Sequence, residues 1–144
     1  MKFFKVIIVL FLVLSCSNNE TSFDNSLLVG NWSSLRKGNY QEYYFDGETM
    51  YLYDLNTDNI VKYKYTIKGD SIYRSFIHPD LKNSESKYFS RVVKFDDDQL
   101  TLRTKVLHRI NSINTLEMFL KKEIDSTTYY KYLYKREALL KDNW

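Results

Sequence analysis

The chain has 144 residues, with 21 basic and 18 acidic side chains, one cysteine, one proline and four glycines. This length suits one ordinary domain with a real core, and the low proline and glycine contents exclude collagen-like and proline-rich architectures. We expect Lys2 and Lys5 to leave with an N-terminal segment, so that 19 basic side chains face 18 acidic ones. A chain this close to neutrality has no net electrostatic case for binding nucleic acid.

The N-terminal segment has the ordered features of an export signal. Two early lysines precede an unbroken apolar run over residues 6–14, and Ser15 stands directly before the single cysteine, Cys16. The run is too short to span a bilayer as a permanent helix. Residues 12–16 resemble the lipobox of bacterial lipoproteins. The resemblance implies that residues 1–15 are a cleaved signal peptide and that Cys16 becomes the lipidated N-terminus, anchored in the cell envelope at the outer membrane.

The folded part is expected to follow a tether. Residues 16–26 comprise the lipidated cysteine and a polar stretch without hydrophobic period, typical of a flexible linker. Residues 27–144 are predicted to form one domain. Once Cys16 carries a lipid no thiol remains, so neither a disulfide nor a cysteine-ligated metal site is expected.

The domain reads as a series of strands joined by short turns, and its thirteen tyrosines and nine phenylalanines favour strands. Asp46-Gly47 between two strand-like runs is a strong hairpin signal. Residues Val61, Tyr63, Tyr65 and Ile67 alternate with polar ones, which predicts one apolar face. The predicted strands are Val29–Leu35, Tyr40–Phe45, Thr49–Leu55, Ile60–Lys68, Ser71–Ile77, Lys87–Phe95, Gln99–Leu107 and Thr115–Ile124. No crossover helix separates them, so we predict an all-β, antiparallel up-and-down barrel of about eight strands.

The first strand carries a further pattern, Leu28-x-Gly30-x-Trp32. Together with the meander that follows, it resembles the start of lipocalin-like barrels. The resemblance implies that Trp32 closes one end of the barrel and that Gly30 lets the chain turn tightly beside it. It also implies a late arginine as the partner of Trp32, which the sequence does not identify. The alternative is that Trp32 is an ordinary core residue and Gly30 a bend.

The C-terminal segment changes character. Asp125 or Ser126 can cap a helix, and we predict an α-helix over residues 126–141. The alternative makes Thr127–Lys135 a ninth strand, because its tyrosine-rich start has high β propensity. The helical spacing places on one face Tyr130, Leu133, Tyr134 and Ala138.

Nothing in the sequence indicates catalysis, a cofactor or a metal. His78 and His108 have no partner at a metal-binding spacing. A calcium-loop pattern starts at Asp54, but Asn59 stands where the loop needs glycine and Tyr65 where it needs glutamate. We therefore expect a protein that is not an enzyme.

The expected function is binding. An eight-stranded barrel is just wide enough to hold one small ligand or to be filled by its own side chains. The first option makes the protein a membrane-anchored carrier of a small hydrophobic or amphipathic molecule, with Tyr63 and Tyr65 as the ligand contacts. The alternative is a filled barrel that binds another protein, as an inhibitor or an assembly factor.

Overall fold

A computed structural model describes residues 23–78 and 84–142. The predicted signal peptide and Cys16 lie outside the described residues, as does most of the predicted tether. Among the helices that are described, none is long and apolar enough to cross a membrane.

Eight antiparallel strands form a closed barrel in which each strand pairs with its neighbours in the chain and β1 pairs with β8. This confirms the predicted fold class. The strands are β1 (Gly30–Arg36), β2 (Asn39–Phe45), β3 (Thr49–Asp54), β4 (Asn59–Lys68), β5 (Ser71–Phe76), β6 (Lys87–Phe95), β7 (Gln99–Leu102) and β8 (Lys105–Arg109). A short 3-10 helix, Asn25–Leu28, precedes them, and two α-helices follow, α1 (Leu116–Leu120) and α2 (Ser126–Asp142).

The last two predicted strands were placed wrongly. One of them is in fact two strands and the other contains a helix, so the total number of strands is still eight. The predicted strand Gln99–Leu107 is two strands, β7 and β8, which Arg103 and Thr104 connect as a two-residue hairpin. That hairpin contains no glycine, asparagine or aspartate, so the usual turn signal is missing. The predicted strand Thr115–Ile124 is wrong, because it contains helix α1.

Helix α1 forms because Thr115 caps it and because its apolar side chains share a helical face. The Thr115 side chain accepts a hydrogen bond from the backbone N–H of Met118. Phe119, which broke the strand-like alternation, stacks on Tyr129 of α2 with a centroid distance of 4.7 Å. In this short segment a strand period and a helix period could not be told apart until Phe119 had a partner.

Helix α2 confirms the predicted C-terminal helix and excludes the ninth strand. Asp125 Oδ1 accepts a hydrogen bond from the Thr128 backbone N–H at 2.7 Å, which caps the first turn. Of the residues that helical spacing grouped on one face, Leu133 is buried and Tyr134 is exposed, and Tyr129 is the other buried residue of the helix. The helix is rotated so that Arg136 also faces the barrel.

Two separate cores result from this arrangement. The interior core fills the barrel and contains Leu28, Trp32, Tyr43, Phe45, Met50, Tyr65, Ile72, Val92, Leu100, Leu102 and Leu107. The helix-side core lies between the outer surface of the first strands and the two α-helices, and contains Tyr40, Tyr53, Leu116, Tyr129 and Leu133. Successive residues of a strand face opposite sides, so β2 contributes Tyr43 to one core and Tyr40 to the other.

Candidate functional site

At one end of the barrel, the Trp32 end, Trp32 is fully buried. The indole N–H donates a hydrogen bond to the Leu28 carbonyl at 2.8 Å. Arg109 lies over the indole with its guanidinium carbon 4.1 Å from the ring centroid, and it donates to the Val29 and Leu27 carbonyls at 3.2 and 2.9 Å. Arg109 is thus the partner that the sequence did not identify.

Gly30 has a specific reason to be glycine at this end. Its φ of +123° is rarely adopted by other residues, and a Cβ there would come within 3.1 Å of Arg109 Nη1. The absent side chain lets Arg109 reach both Trp32 and the carbonyls beside it. The role of Gly30 in barrel closure stays a prediction, which this geometry supports.

The barrel interior around Trp32 is packed. Its aromatic rings contact each other directly: Phe45 meets Tyr65 edge to face at 5.2 Å, and Trp32 meets Phe95 at 6.2 Å. The side chains with essentially no surface that a water molecule could touch are Leu28, Trp32, Tyr43, Phe45, Met50, Ile72, Leu100 and Leu107. A long acyl chain therefore has no space beside these residues.

The opposite end of the barrel is called the mouth. It lies where β1, β3, β5 and β7 end, and a pocket of about 450 Å³ there is lined by Tyr63, Arg74, Phe76, Ser84, Glu85, Lys87 and Tyr88. This volume lies within the usual range for small-molecule sites. Phe76 packs on Tyr63 with a centroid distance of 5.8 Å. The pocket thus has aromatic walls with charged groups among them.

The structure separates the two tyrosines that the sequence grouped as ligand contacts. Tyr63 lines the mouth pocket. Tyr65 is part of the packed interior core and borders a different hollow of about 330 Å³, together with Phe23 and Asn25. Its hydroxyl is buried without a hydrogen-bond partner among the described residues, and burial raises the pKa of Tyr65 to about 12.

Comparison of the chain with protein-family models, curated proteins and solved structures found no match. Function must therefore be argued from the geometry of this molecule alone.

Lys105 is the most unusual group near the mouth. It starts β8 and its side chain faces the interior, where Nζ donates hydrogen bonds to the Tyr43 hydroxyl at 2.5 Å and to Gln41 Oε1 at 3.0 Å. Burial, followed by the charges of Arg74 and Arg36, lowers the pKa of Lys105 to about 8, and the charge of Asp54 only partly opposes this shift. Sequence reasoning missed Lys105, because nothing local marks this lysine as inward-facing.

A second charged cluster was also missed. Glu42 is completely buried between β2 and α2, where it pairs with Arg136 at 2.7 Å. Tyr40 and Tyr129 donate hydrogen bonds to the same carboxylate at 2.7 and 3.0 Å. Burial, with the charge of Glu42 adding to it, raises the pKa of both tyrosines. Arg136 also donates to the Asn114 carbonyl at 3.2 Å, so this cluster fastens α2 to the barrel.

The other pockets among the described residues are weaker candidates for a binding site. A wider pocket of about 900 Å³ has lining residues between Phe23 and Arg103, and two of its cations are already paired: Arg91 with Asp70 at 2.5 Å, and Lys94 with Asp96 at 3.4 Å. Within the described part of the chain, no group of three histidine, cysteine, aspartate or glutamate side chains is arranged to hold a metal ion. The mouth is therefore the candidate site.

Proposed function

We propose that this protein is a lipid-anchored envelope lipoprotein that binds a small amphipathic molecule at the mouth of its barrel. The observation that carries the proposal is the mouth pocket of about 450 Å³, with Tyr63 and Phe76 in its wall. The packed interior beneath it restricts the ligand to a short one. The ordered signal ending at Cys16 supports the anchor.

Binding at the mouth is tested with a matched pair of tyrosine variants. Tyr63→Phe keeps the ring but removes a hydroxyl from the pocket, so it should weaken binding of a short amphiphile and change stability little. Tyr65→Phe removes a buried hydroxyl that has no partner, so it should leave binding unchanged. Both are compared by titrating short-chain amphiphiles and by extracting purified wild-type protein for mass spectrometry. Empty extracts together with no binding by the wild type would refute the proposal.

The anchor is tested separately. Cys16→Ala removes the site of lipidation, and two acyl chains bury enough methylenes, at about 0.8 kcal/mol each, for stable anchoring. We expect the variant to leave the membrane fraction or to accumulate as an uncleaved precursor. A variant that is processed normally and stays with the membrane would contradict the lipoprotein assignment.

A second candidate is supported by one observation. The packed interior is what a protein-binding barrel would need, and an apolar groove of about 380 Å³ runs between the end of β8 and α2. Leu139 in this groove is 62% exposed, and Ile113, one residue beyond the lining residue Ser112, is 68% exposed. Leu139→Ser would abolish complex formation with a partner protein under this alternative, and would leave binding of small amphiphiles intact under the first.

A further inference from the structure

The inner wall of the mouth carries three cations from three different strands. Arg36 ends β1, Arg74 lies on β5 and Lys105 begins β8. Arg36 follows Trp32 and Ser34 at intervals of two residues, which places it on the same inner face of β1. Asp54 on β3 is the acidic group that faces Lys105. Glu85 and Lys87 also line the mouth pocket, so the described residues of the mouth carry more positive than negative charge.

Asp54 does not neutralise Lys105 directly. Its Oδ2 accepts hydrogen bonds from Gln41 at 2.6 Å and from Asn39 at 3.0 Å. Among the described residues, no carboxylate lies within ion-pair distance of Lys105 Nζ, whose hydrogen bonds go to neutral oxygens of Gln41 and Tyr43. A charge that is largely buried without a counter-ion is unfavourable, so this lysine reduces the stability of the fold.

The two innermost cations share one aromatic ring. The Arg74 guanidinium carbon lies 4.4 Å from the centroid of Phe89, and Lys105 Nζ lies 5.7 Å from the same centroid. Arg74 also covers Tyr63 at 4.3 Å, and Lys105 also covers Tyr43 at 5.1 Å. Aromatic faces offset part of the repulsion between cations, but they supply no full negative charge. Two cations that contact one apolar ring are suited to a ligand with one anionic end and one apolar end.

We propose that the mouth selects a short amphiphile with an anionic head group, a carboxylate or a phosphate, whose head lies between Lys105 and Arg74 and whose apolar part lies on Phe89 and Tyr63. The proposal rests on the proposed function and names the ligand class for the mouth: Arg74 and Tyr63 line the mouth pocket, and Arg74 and Lys105 both contact Phe89. The bound anion supplies a counter-charge that Lys105 does not receive from the described residues. Lys105 and Arg74 thus hold the head group, and the packed interior limits the length of the apolar part.

The test uses the full mature chain in phosphatidylcholine nanodiscs, with empty nanodiscs titrated as a reference. Calorimetry compares octanoate and octyl phosphate with 1-octanol, which has the same chain without a charge, and with inorganic phosphate, which has the charge without a chain. We expect the two anionic amphiphiles to bind at least about tenfold more tightly than octanol or inorganic phosphate, as is usual for hydrogen bonds to a charged group.

Variants identify the groups that hold the head. Lys105→Met and Arg74→Met keep the apolar stems, and each should weaken octanoate binding about tenfold and leave octanol binding unchanged. Lys62→Met is the matched control, because Lys62 also lies over a tyrosine ring, Tyr51 at 5.2 Å, but is exposed on the outer face of β4. Lys105→Met should also raise the melting temperature, which distinguishes a ligand-binding lysine from one that supports the fold.

A pH series adds a second readout. The groups facing Lys105 are Arg36, Arg74, Asp54 and Tyr43. Burial raises the pKa of Tyr43, whereas for Asp54 the effect of burial is outweighed by hydrogen bonds from Gln41 and Asn39, which lower its pKa, so both shifts lead away from the range between pH 7 and about 9. Lys105 loses its proton in this range. Octanoate affinity should therefore fall as the pH rises through about 8 in the wild type, and Lys105→Met should remove this dependence.

Each outcome has a distinct meaning. Equal affinity for octanoate and octanol would overturn the anionic head group and leave the proposed small-molecule function standing. Equal affinity for inorganic phosphate and octanoate would show that the apolar chain does not contribute to binding, and would overturn the proposal that the ligand is an amphiphile. No binding of octanoate, octyl phosphate or octanol would refute the proposed function together with this inference. A loss of octanoate binding in Lys62→Met as large as in Lys105→Met would overturn the assignment of the head group to the mouth.

Discussion

The ion pair between Glu42 and Arg136 offers a direct test of how α2 is held against the barrel. The perturbation is Arg136→Met, which keeps the apolar stem of the arginine and removes its charge. Glu42 has no exposed surface in the folded protein, so it would remain buried with only the hydroxyls of Tyr40 and Tyr129 as donors.

The expected loss is large because the remaining charge is not compensated. Removing one partner of a buried ion pair typically costs about 3–5 kcal/mol, a large part of the roughly 5–15 kcal/mol by which a domain of this size is stable. The two tyrosine hydroxyls still stabilise the carboxylate, so we expect the lower end, about 3 kcal/mol. The exposed pair between Lys141 and Glu137 on the same helix should be worth only about 0.3–0.5 kcal/mol, and Lys141→Met is therefore the control.

The assay is urea unfolding of a double-mutant cycle with Arg136→Met, Glu42→Gln and both together. If the two charges compensate each other, the double variant should lose at least about 2 kcal/mol less than the sum of the single variants. Single variants no less stable than Lys141→Met, or strictly additive losses, would show that the ion pair does not hold α2.

Further predictions concern the Trp32 end of the barrel and Lys105. Trp32→Ala should lower the free energy of unfolding by about 3–5 kcal/mol, and a wild-type melting temperature would contradict its place in the core. Gly30→Ala should destabilise by more than Gly47→Ala in the same urea assay, since both have positive φ but only Gly30 meets Arg109, and equal losses would show that this contact is unimportant. The lowered pKa of Lys105 means that the folded state binds fewer protons than the unfolded one above about pH 8, so stability relative to Lys105→Met should rise with pH between about 8 and 9.5. This difference is measured by thermal unfolding, and a flat or falling curve would contradict the buried position of the lysine.

Local patterns were sufficient where each residue's environment depends on its near neighbours in the chain. The alternation around Tyr63 and Tyr65 on β4 predicted the face that packs into the interior core, and Asp46-Gly47 predicted the hairpin between β2 and β3. The capping aspartate, Asp125, predicted the start of α2. In each case the strand period, the turn or the cap is a property of a few consecutive residues.

Local patterns failed where a residue's environment comes from another part of the chain. The partner of Trp32 is Arg109, 77 positions later, and only the pairing of β1 with β8 brings the two together. The partner of Glu42 is Arg136, 94 positions later in the chain, and only the packing of α2 on the barrel brings the two together. The segment after Asn114 had too few residues to separate a strand period from a helix period, and its packing on α2 decided for the helix.

The sequence by itself determined the antiparallel barrel with its C-terminal helix, because the strand period, the turn residues and the helix cap are encoded over short stretches of the chain. Only the tertiary structure decided that the barrel interior around Trp32 is packed and that Tyr63 lines the mouth pocket whereas Tyr65 does not. It also decided that Lys105 and Arg74 both contact Phe89. The physical reason is that filling a barrel and gathering charges at its mouth depend on which strands become neighbours on closure. Alternation shows only that a side chain faces inward, whereas closure sets what it meets there.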